Sequence, residues 1–320
     1  MTYILIGLPM FAVAPWLFAR AFVTTKMVVI SAGLLVLWWR NGRPAAGAIN
    51  PALVFLAVAA ISAVAAADPW IAAFGNYRMP YCGLLAMVIL FEAYCCSAAT
   101  DPKENAMILA ASGAVLGGFS FLQFIFNDPF ISAVLPHGRA IGLVGNPVFL
   151  GAVLVPCFLA AWDMKSALAL PCLVAIFLGM AAARADGAAL ALAVGVWAYE
   201  IDSPRLKWCG LAAVLVCLWI YLVNDPGQNS RERVELLRIS WNAFLEHPWL
   251  GWGPDNFIMA FRAHRTMDYI SILRNTHGGQ GHAHQELAQV AVTTGIAGVS
   301  AYLWLLLSLA KASRNKLALA

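Results

Sequence analysis

The sequence predicts an all-α, polytopic membrane protein with about ten transmembrane helices and one large polar loop over residues 224–285. The chain is 62% hydrophobic and 11% charged, whereas soluble domains are about 45–50% apolar and about 25% charged. The polar loop holds five of the six histidines and six of the twenty Lys and Arg residues, all six being Arg. We therefore expect a single integral-membrane domain over residues 1–320 that concentrates its chemistry in this loop.

Ten apolar segments approach the roughly 20 residues that a spanning helix needs, and several of them are short. A cleaved signal peptide is the competing interpretation of the first segment, but the start of the chain lacks the basic residues of a signal peptide. We expect a retained span there. The predicted spans are residues 3–19, 25–39, 46–67, 80–96, 106–126, 147–162, 167–183, 187–200, 208–223 and 286–310.

The basic residues indicate the orientation of the chain. With ten spans, both termini and the loops at residues 40–43, 163–165 and 205–207 share one side, which we expect to be cytoplasmic. Nine basic residues fall on that side, five of them Lys, whereas ten of the eleven on the outer side are Arg. Arg grips phosphate through a planar, bidentate fork. The outer face therefore indicates a phosphorylated ligand, with a compositional bias toward Arg as the alternative.

Several classes of site are disfavoured by the sequence. The seven cysteines all fall in apolar segments, and their odd number and the lack of a CxxC pair argue against a disulfide framework or a zinc site. No Walker loop and no GxGxxG occurs, so no nucleotide is indicated. We expect no cofactor, no metal ion and no nucleic-acid partner, and we expect membrane lipid around the chain.

Two arginines lie between predicted spans on the outer side. Arg184 stands in the sequence AAARADG beside Asp186, and Arg139 stands in HGRAIGLVGNP. A charge near a helix end in a membrane faces a water-filled cavity or the protein interior, or it snorkels to the interface. Arg184 therefore either binds an anion or snorkels beside Asp186. Around Arg139, the three glycines and the proline predict a turn-rich segment whose backbone N–H groups could line a polar cavity.

The polar loop contains a predicted amphipathic helix over residues 231–247. Its apolar residues recur at helical spacing, and Arg238 lies between turns of that stripe. Such a helix lies on the membrane or caps the helical bundle, with Arg238 either an interfacial residue or a ligand-binding one. The apolar residues of the stripe are Val234, Leu237, Trp241, Phe244 and Leu245.

The segment HGGQGHAHQELAQ at residues 277–289 contains three histidines. A metal site is one interpretation, but few carboxylates and no cysteine accompany the His282-Ala283-His284 pattern. Acid–base catalysis is a second interpretation, because histidine titrates near neutral pH. His284 directly precedes the last predicted span, which could fix its ring beside the membrane. A solvated loop histidine is the remaining alternative.

These segments resemble motifs of bacterial O-antigen ligases. His284-Gln285, nine residues and then GIAG at 295–298 are similar to the family pattern H-[NSQ]-x9-G-x-x-[GTY]. R-x-x-W at Arg238 and HPWLGWGPDNF at 247–257 resemble the loop helix and following segment of the O-antigen ligase and polymerase superfamily. GLVGNPVFLG at 142–151 is similar to the family's segment before a span, although Val148 replaces the usual Asn. The resemblance runs from about residue 138 to residue 298.

The resemblance implies an all-helical membrane glycosyltransferase of the GT-C kind in the bacterial inner membrane, with its large loop and active site on the periplasmic side. The donor would be a glycan on undecaprenyl pyrophosphate, and the acceptor would be lipid A–core for a ligase or another lipid-linked repeat for a polymerase. The pyrophosphate leaving group already activates the donor, so neither nucleotide nor metal is required.

The resemblance also implies roles for seven residues. His284 would take the proton from the acceptor hydroxyl in an inverting displacement, and Arg184 and Arg238 would stabilise the charge that develops on the pyrophosphate. The remaining four would contact the substrate: Arg139, Asn146, Trp241 and His282.

Other functions remain open. The sequence favours O-antigen ligase, with O-antigen polymerase and protein O-oligosaccharyltransferase as alternatives within the same chemistry. A transporter of anions or lipid-linked glycans is the alternative from another class, because Arg139 and Arg184 could line an anion path. Transporters commonly contain internal repeats, and none is visible in this sequence.

Overall fold

The computed structural model describes Ile30 and residues 50–75, 83–98, 101–127, 138–200, 228–272 and 281–317. These residues are mostly helical and include no strand, which confirms the predicted all-α class. The described helices are α1 (Asn50–Val64), α2 (Pro69–Phe74), α3 (Leu84–Ala98), α4 (Pro102–Phe126), α5 (Pro147–Trp162), α6 (Ala169–Ala183), α7 (Asp186–Glu200), α8 (Gln228–Glu246), α9 (Phe257–His264), α10 (Met267–Ile272) and α11 (Glu286–Leu317).

Seven predicted spans correspond to helices, namely α1, α3 to α7 and α11. Helix α5 has both of its predicted bounds, and α11 begins at the predicted residue but continues seven residues further. The predicted spans at 3–19, 25–39 and 208–223 lie outside the described residues, apart from Ile30.

Two of the described helical segments, Lys103–Phe126 and Glu286–Leu309, are long and apolar enough to cross a membrane. The other described apolar helices are only 10–17 residues long. The predicted number of about ten spans is therefore not confirmed.

The chain divides into two compact units. Unit 1 comprises Met1–Ala45 and Glu92–Trp219, and unit 2 comprises Ala46–Phe91 and Ile220–Ala320. The whole predicted polar loop, 224–285, falls in unit 2. The single integral-membrane domain over residues 1–320 stays a prediction.

In unit 1, helices α4, α5, α6 and α7 pack against one another around an apolar core. Glycine permits the closest approach: a Cβ atom at Gly179 of α6 would overlap the backbone of Gly117 in α4. Small residues at such crossings let helix backbones approach within contact distance, which is how apolar helices associate without a large hydrophobic driving force in lipid. The core of the unit is centred on fully buried Leu116, Leu150, Leu154 and Ile176.

In unit 2, helix α11 is broken at Gly295, where φ is 66° and ψ is −166°. This backbone region is essentially accessible only to glycine. The break frees backbone groups, and the segment at 248–253 pairs with them: the N–H groups of Trp252 and Gly253 donate to the carbonyls of Val292 and Thr293 at 2.8 and 2.9 Å. Beyond the break, the Ile296 N–H donates to the Pro248 carbonyl at 2.8 Å. The WLGWG segment (residues 249–253), together with Pro248, therefore supplies the hydrogen-bonding partners of the broken helix.

Hydrogen bonds with the α1 region hold this pairing in place. The Ser62 hydroxyl is buried and lies 2.6 Å from the Leu250 carbonyl oxygen and 2.9 Å from that of Thr293. The fully buried Asn256 amide accepts from the Asp68 N–H at 3.0 Å and donates to the Asp68 carbonyl at 3.1 Å. Residues 188 positions apart in sequence are therefore joined by directed hydrogen bonds.

We expect Gly295→Ala to destabilise unit 2. The added Cβ would overlap the Trp249 carbonyl group, and the backbone conformation alone would cost a non-glycine residue about 1–3 kcal/mol. Thermal unfolding of the purified protein measures this as a lower Tm. Gly187→Ala is the matched control, because a Cβ there meets nothing within 4 Å. Equal Tm values for the two variants would contradict the proposed importance of the break.

Candidate active site

Unit 1 brings Arg184 and Arg139 together at the C-terminal end of α6. Arg184 caps this helix in the left-handed conformation, with φ 47°, and its side chain is exposed. Its guanidinium carbon lies 5.2 Å from the centroid of the Phe124 ring. Arg139 Nε donates to the carbonyl of Ala183 at 3.0 Å, one residue before Arg184.

The surroundings favour cations at this point. The C-terminal end of a helix carries partial negative charge from its unpaired carbonyls, and an aromatic face attracts a guanidinium group by about 0.5–1 kcal/mol at exposed sites. The bond from Arg139 Nε to Ala183 holds the Arg139 guanidinium group beside the end of α6. Binding of a phosphate or pyrophosphate group by the two arginines stays a prediction.

The turn-rich segment around Arg139 is confirmed, and several of its backbone N–H groups bond within the protein. That the remaining N–H groups line a polar cavity stays a prediction. The buried Gln123 side chain accepts hydrogen bonds from the Ile141 and Gly142 N–H groups at 3.0 and 2.8 Å. The Ala140 N–H donates to the Ala182 carbonyl at 3.0 Å. These donors are consumed in holding the segment against α4 and α6, which fixes the position of Arg139.

Asn146 follows this segment as the N-cap of α5. Its Oδ1 accepts from the N–H groups of Val148 and Phe149 at 2.8 and 3.3 Å, and Pro147 begins the helix. This is a structural reason for the asparagine. Its predicted contact with substrate stays a prediction.

In unit 2, helix α8 places Arg238 and Trp241 on its exposed side, one turn apart. Their exposed fractions are 62% for the Arg238 side chain and 60% for Trp241. Arg238 Nη1 lies 3.7 Å from a Glu235 carboxylate oxygen and 3.9 Å from one of Asp268. Exposed pairs of this length contribute little to stability, so the guanidinium group can exchange them for an anionic ligand at small cost.

The predicted amphipathic helix is confirmed, but the protein core buries a different stripe from the one the sequence suggested. The buried residues are Leu236, Ile239 and Ala243. Val234, Leu237, Trp241 and Leu245 of the predicted stripe are exposed. Both stripes have helical spacing, and small residues such as Ala243 and Ser240 let neighbouring elements approach the side that is buried.

The two histidines flank Ala283 in a turn directly before α11. Ala283 is buried and packs in one cluster with Leu236 and Ile239 of α8. His284 is exposed and adopts φ 54°, a left-handed conformation that costs a non-glycine residue free energy. Strained backbone of this kind concentrates at functional sites. His277 lies outside the described residues.

Burial lowers the pKa of His282 below its ordinary value of 6.5, and the charge of nearby His284 lowers it further. The turn holds His282 in its neutral form over a wider pH range than a solvated histidine. Among the described residues, no group of three or more His, Cys, Asp and Glu side chains could hold a metal ion.

Two glutamines that sequence analysis missed hold the candidate residues. Gln123 orients the Arg139 segment, and the Gln289 Oε1 accepts from the Ala283 N–H at 2.8 Å. Gln285 adds a cap, its Oε1 accepting from the Ala288 N–H. Gln123 and Gln289 could have been found from the sequence, because each is a polar amide within an otherwise apolar helix.

We expect His282→Gln to reduce the acid sensitivity of the fold. The folded-state pKa of His282 is depressed. Below about pH 6.5 the unfolded chain therefore binds a proton that the folded chain does not bind, and the stability of the wild type decreases as the pH is lowered. The variant lacks this contribution. Tm measured from pH 8 to pH 5 should therefore fall less steeply in the variant, and parallel Tm profiles would contradict the burial of His282.

A family model described as O-antigen ligase (Wzy_C) matches residues 167–303, somewhat less than half of the chain. The matched range contains Arg184, Arg238 and His284, whereas Arg139 and Asn146 precede it. No curated protein matches the chain.

This match, together with the apolar helices, supports a membrane protein and confirms the resemblance that the motifs predict. Residues 167–303 are therefore similar to the O-antigen ligase and polymerase superfamily.

Proposed function

We propose that this protein is an inner-membrane O-antigen ligase that transfers a glycan from undecaprenyl pyrophosphate to lipid A–core on the periplasmic side. The family match supports a ligase or polymerase-type glycosyltransferase. The observation that carries the proposal is the placement of His284: an exposed imidazole on a strained, fixed turn at the start of an apolar helix.

In the proposed reaction, the acceptor hydroxyl oxygen attacks the anomeric carbon of the donor. His284 takes the hydroxyl proton as the new glycosidic bond forms. The bond between the anomeric carbon and the pyrophosphate breaks, and undecaprenyl pyrophosphate leaves with the electron pair. A single displacement of this kind inverts the anomeric centre, and the leaving group needs no nucleotide.

The arginines act on the leaving group in this proposal. Arg184 and Arg238 are each proposed to stabilise negative charge that develops on the pyrophosphate, and Arg139 is proposed to bind substrate. Fixed guanidinium groups are suited to this role, because they hold position while the charge grows. Trp241, His282 and Asn146 are proposed to contact the glycan or the acceptor.

O-antigen polymerase is the second candidate, because the family model supports both activities. The acceptor separates the two functions. Purified protein is incubated with an undecaprenyl-pyrophosphate-linked glycan, with lipid A–core and a second lipid-linked repeat as acceptors, with and without EDTA. EDTA-resistant transfer to lipid A–core supports the ligase, and transfer only to the lipid-linked repeat makes the protein a polymerase. Transfer to neither overturns both, and transport of lipid-linked glycan is then the function to test.

We expect His284→Gly to lower kcat by about 10²–10⁴, the usual contribution of a general base. Glycine tolerates the left-handed backbone, so the turn and the Tm should be retained. Free imidazole should restore part of the activity, because it can occupy the vacated space and accept the proton. His247→Ala is the control, since His247 is also exposed and lies next to the C-terminus of α8. Full activity of His284→Gly would exclude His284 as the base.

We expect Arg184→Ala to lower kcat by about 10²–10³, the usual cost of removing one donor that stabilises developing charge. Arg184→Lys should recover only part of this loss, because a lysine cannot form the bidentate contact. Initial rates with saturating acceptor measure both effects. Arg262→Ala, at an exposed arginine near the end of α9, is the matched control. If Arg184→Ala and Arg262→Ala behave alike, Arg184 is only an interfacial residue.

A further inference from the structure

We infer that Gln289 is a positioning residue for the histidine turn, and that a neutral amide is needed there because a carboxylate would protonate the base. The inference rests on the proposed role of His284. It concerns a residue outside the seven candidates named from the sequence.

The Gln289 side chain is bonded to the histidine turn, and the Gln289 backbone is held in α11. Its side-chain Oε1 accepts from the N–H of Ala283, the residue between the two histidines, at 2.8 Å. Its backbone is fixed as well, because its N–H donates to the Gln285 carbonyl at 2.9 Å and its carbonyl accepts from the Thr293 hydroxyl at 2.7 Å. A helical side chain leans toward the N-terminus of its helix, which is the direction of the turn.

The other end of the same amide is unsatisfied. Gln289 Nε2 is buried and has no hydrogen-bond partner among the described residues. A buried unpaired donor is costly. A glutamate would remove this donor and offer the same acceptor to Ala283, but it would bury a charge or a carboxylic acid proton instead. Hydrogen bonding alone therefore does not explain why glutamine occupies this position.

Charge supplies the explanation. The hydrogen bond places the end of the Gln289 side chain at the residue between His282 and His284. A carboxylate within about 4–6 Å of an imidazole favours the protonated ring and raises its pKa by about 1–3 units. A protonated His284 cannot take the proton from the hydroxyl group of the glycan acceptor. The amide fixes the turn without adding this charge.

The ionisable groups already near the turn are largely engaged with one another. Glu235 contacts Arg238 and the Thr266 hydroxyl, and Glu232 accepts from the Tyr269 hydroxyl at 3.2 Å. The ionisable groups on α8 to α11 are Arg231, Glu232, Arg233, Glu235, Arg238, Glu246, Arg262, His264, Asp268, Tyr269, Glu286, Tyr302, Lys311, Arg314 and Lys316. A carboxylate at position 289 would be a new charge in this set.

The test compares Gln289→Glu with Gln289→Met in the glycan-transfer assay across pH 5.5–9. Wild-type kcat should rise with pH as the base loses its proton. Gln289→Glu should move this rise upward by about one pH unit, with kcat recovering at high pH. Gln289→Met, which lacks the acceptor for Ala283, should lower kcat roughly tenfold at every pH without moving the profile. Leu287→Ala, at an exposed position in the first turn of α11, should match wild type.

A second measurement does not depend on activity. NMR titration of the histidine ring protons, assigned with His282→Gln and His284→Gly, should show a higher titration midpoint for both rings in Gln289→Glu. Unmoved midpoints together with an unmoved rate profile would overturn the inference. Raised midpoints in a protein without His284-dependent transfer would support the placement of Gln289 while rejecting the proposed function.

Discussion

The break of α11 at Gly295 is the constraint on which unit 2 depends. An unbroken helix would satisfy its own backbone groups and leave nothing for the WLGWG segment to pair with. The break leaves the carbonyls of Val292 and Thr293 without partners inside the helix, and the N–H groups of Trp252 and Gly253 donate hydrogen bonds to them. The part of α11 before the break carries the histidine turn at its N-terminus, so the break fixes the direction in which that turn is presented. The motif at 247–257 and the motif at 284–298 are thus joined to each other by backbone hydrogen bonds.

Both principal candidate residues occupy the boundary of an apolar helix in a left-handed conformation. Arg184 ends α6 and His284 precedes α11, with φ values of 47° and 54°. Among the described residues, the other two non-glycine residues with positive φ are Asn127 and Asp255. Asn, Asp and His are the residue types that most often occupy this region, whereas Arg is not one of them. The contacts around Arg184 must therefore hold it there, which reduces the reorganisation needed when charge moves during a reaction.

Local sequence patterns were sufficient to predict α5 and the start of α11. The apolar length of residues 147–162 predicted α5, whereas the capping role of Asn146 became visible only in the structure. The pairing of Ser62 with Thr293 could not be predicted in this way, because the residues are 231 positions apart and their hydrogen bond has no periodic signature. For α8, two stripes with helical spacing competed, and only the packing of neighbouring elements decided which was buried. A sequence motif indicated the chemistry at His284. The hydrogen bond by which Gln289 supports the histidine turn could be recognised only once the structure showed where the Gln289 side chain points.

Uncharged amides hold the loops beside the candidate residues in both units. Gln123 binds the segment that carries Arg139, Gln289 binds the turn that carries His284, and Asn256 joins the WLGWG segment to Asp68. Each uses a side-chain oxygen to accept from backbone N–H groups that would otherwise be buried without a partner. A carboxylate could accept the same bonds, but burying its charge among apolar helices would cost far more than burying an amide. It would also neutralise an arginine or protonate a histidine nearby. In an apolar protein with few charges, amides can fix loop geometry while leaving the electrostatics of the proposed site to the arginines and histidines.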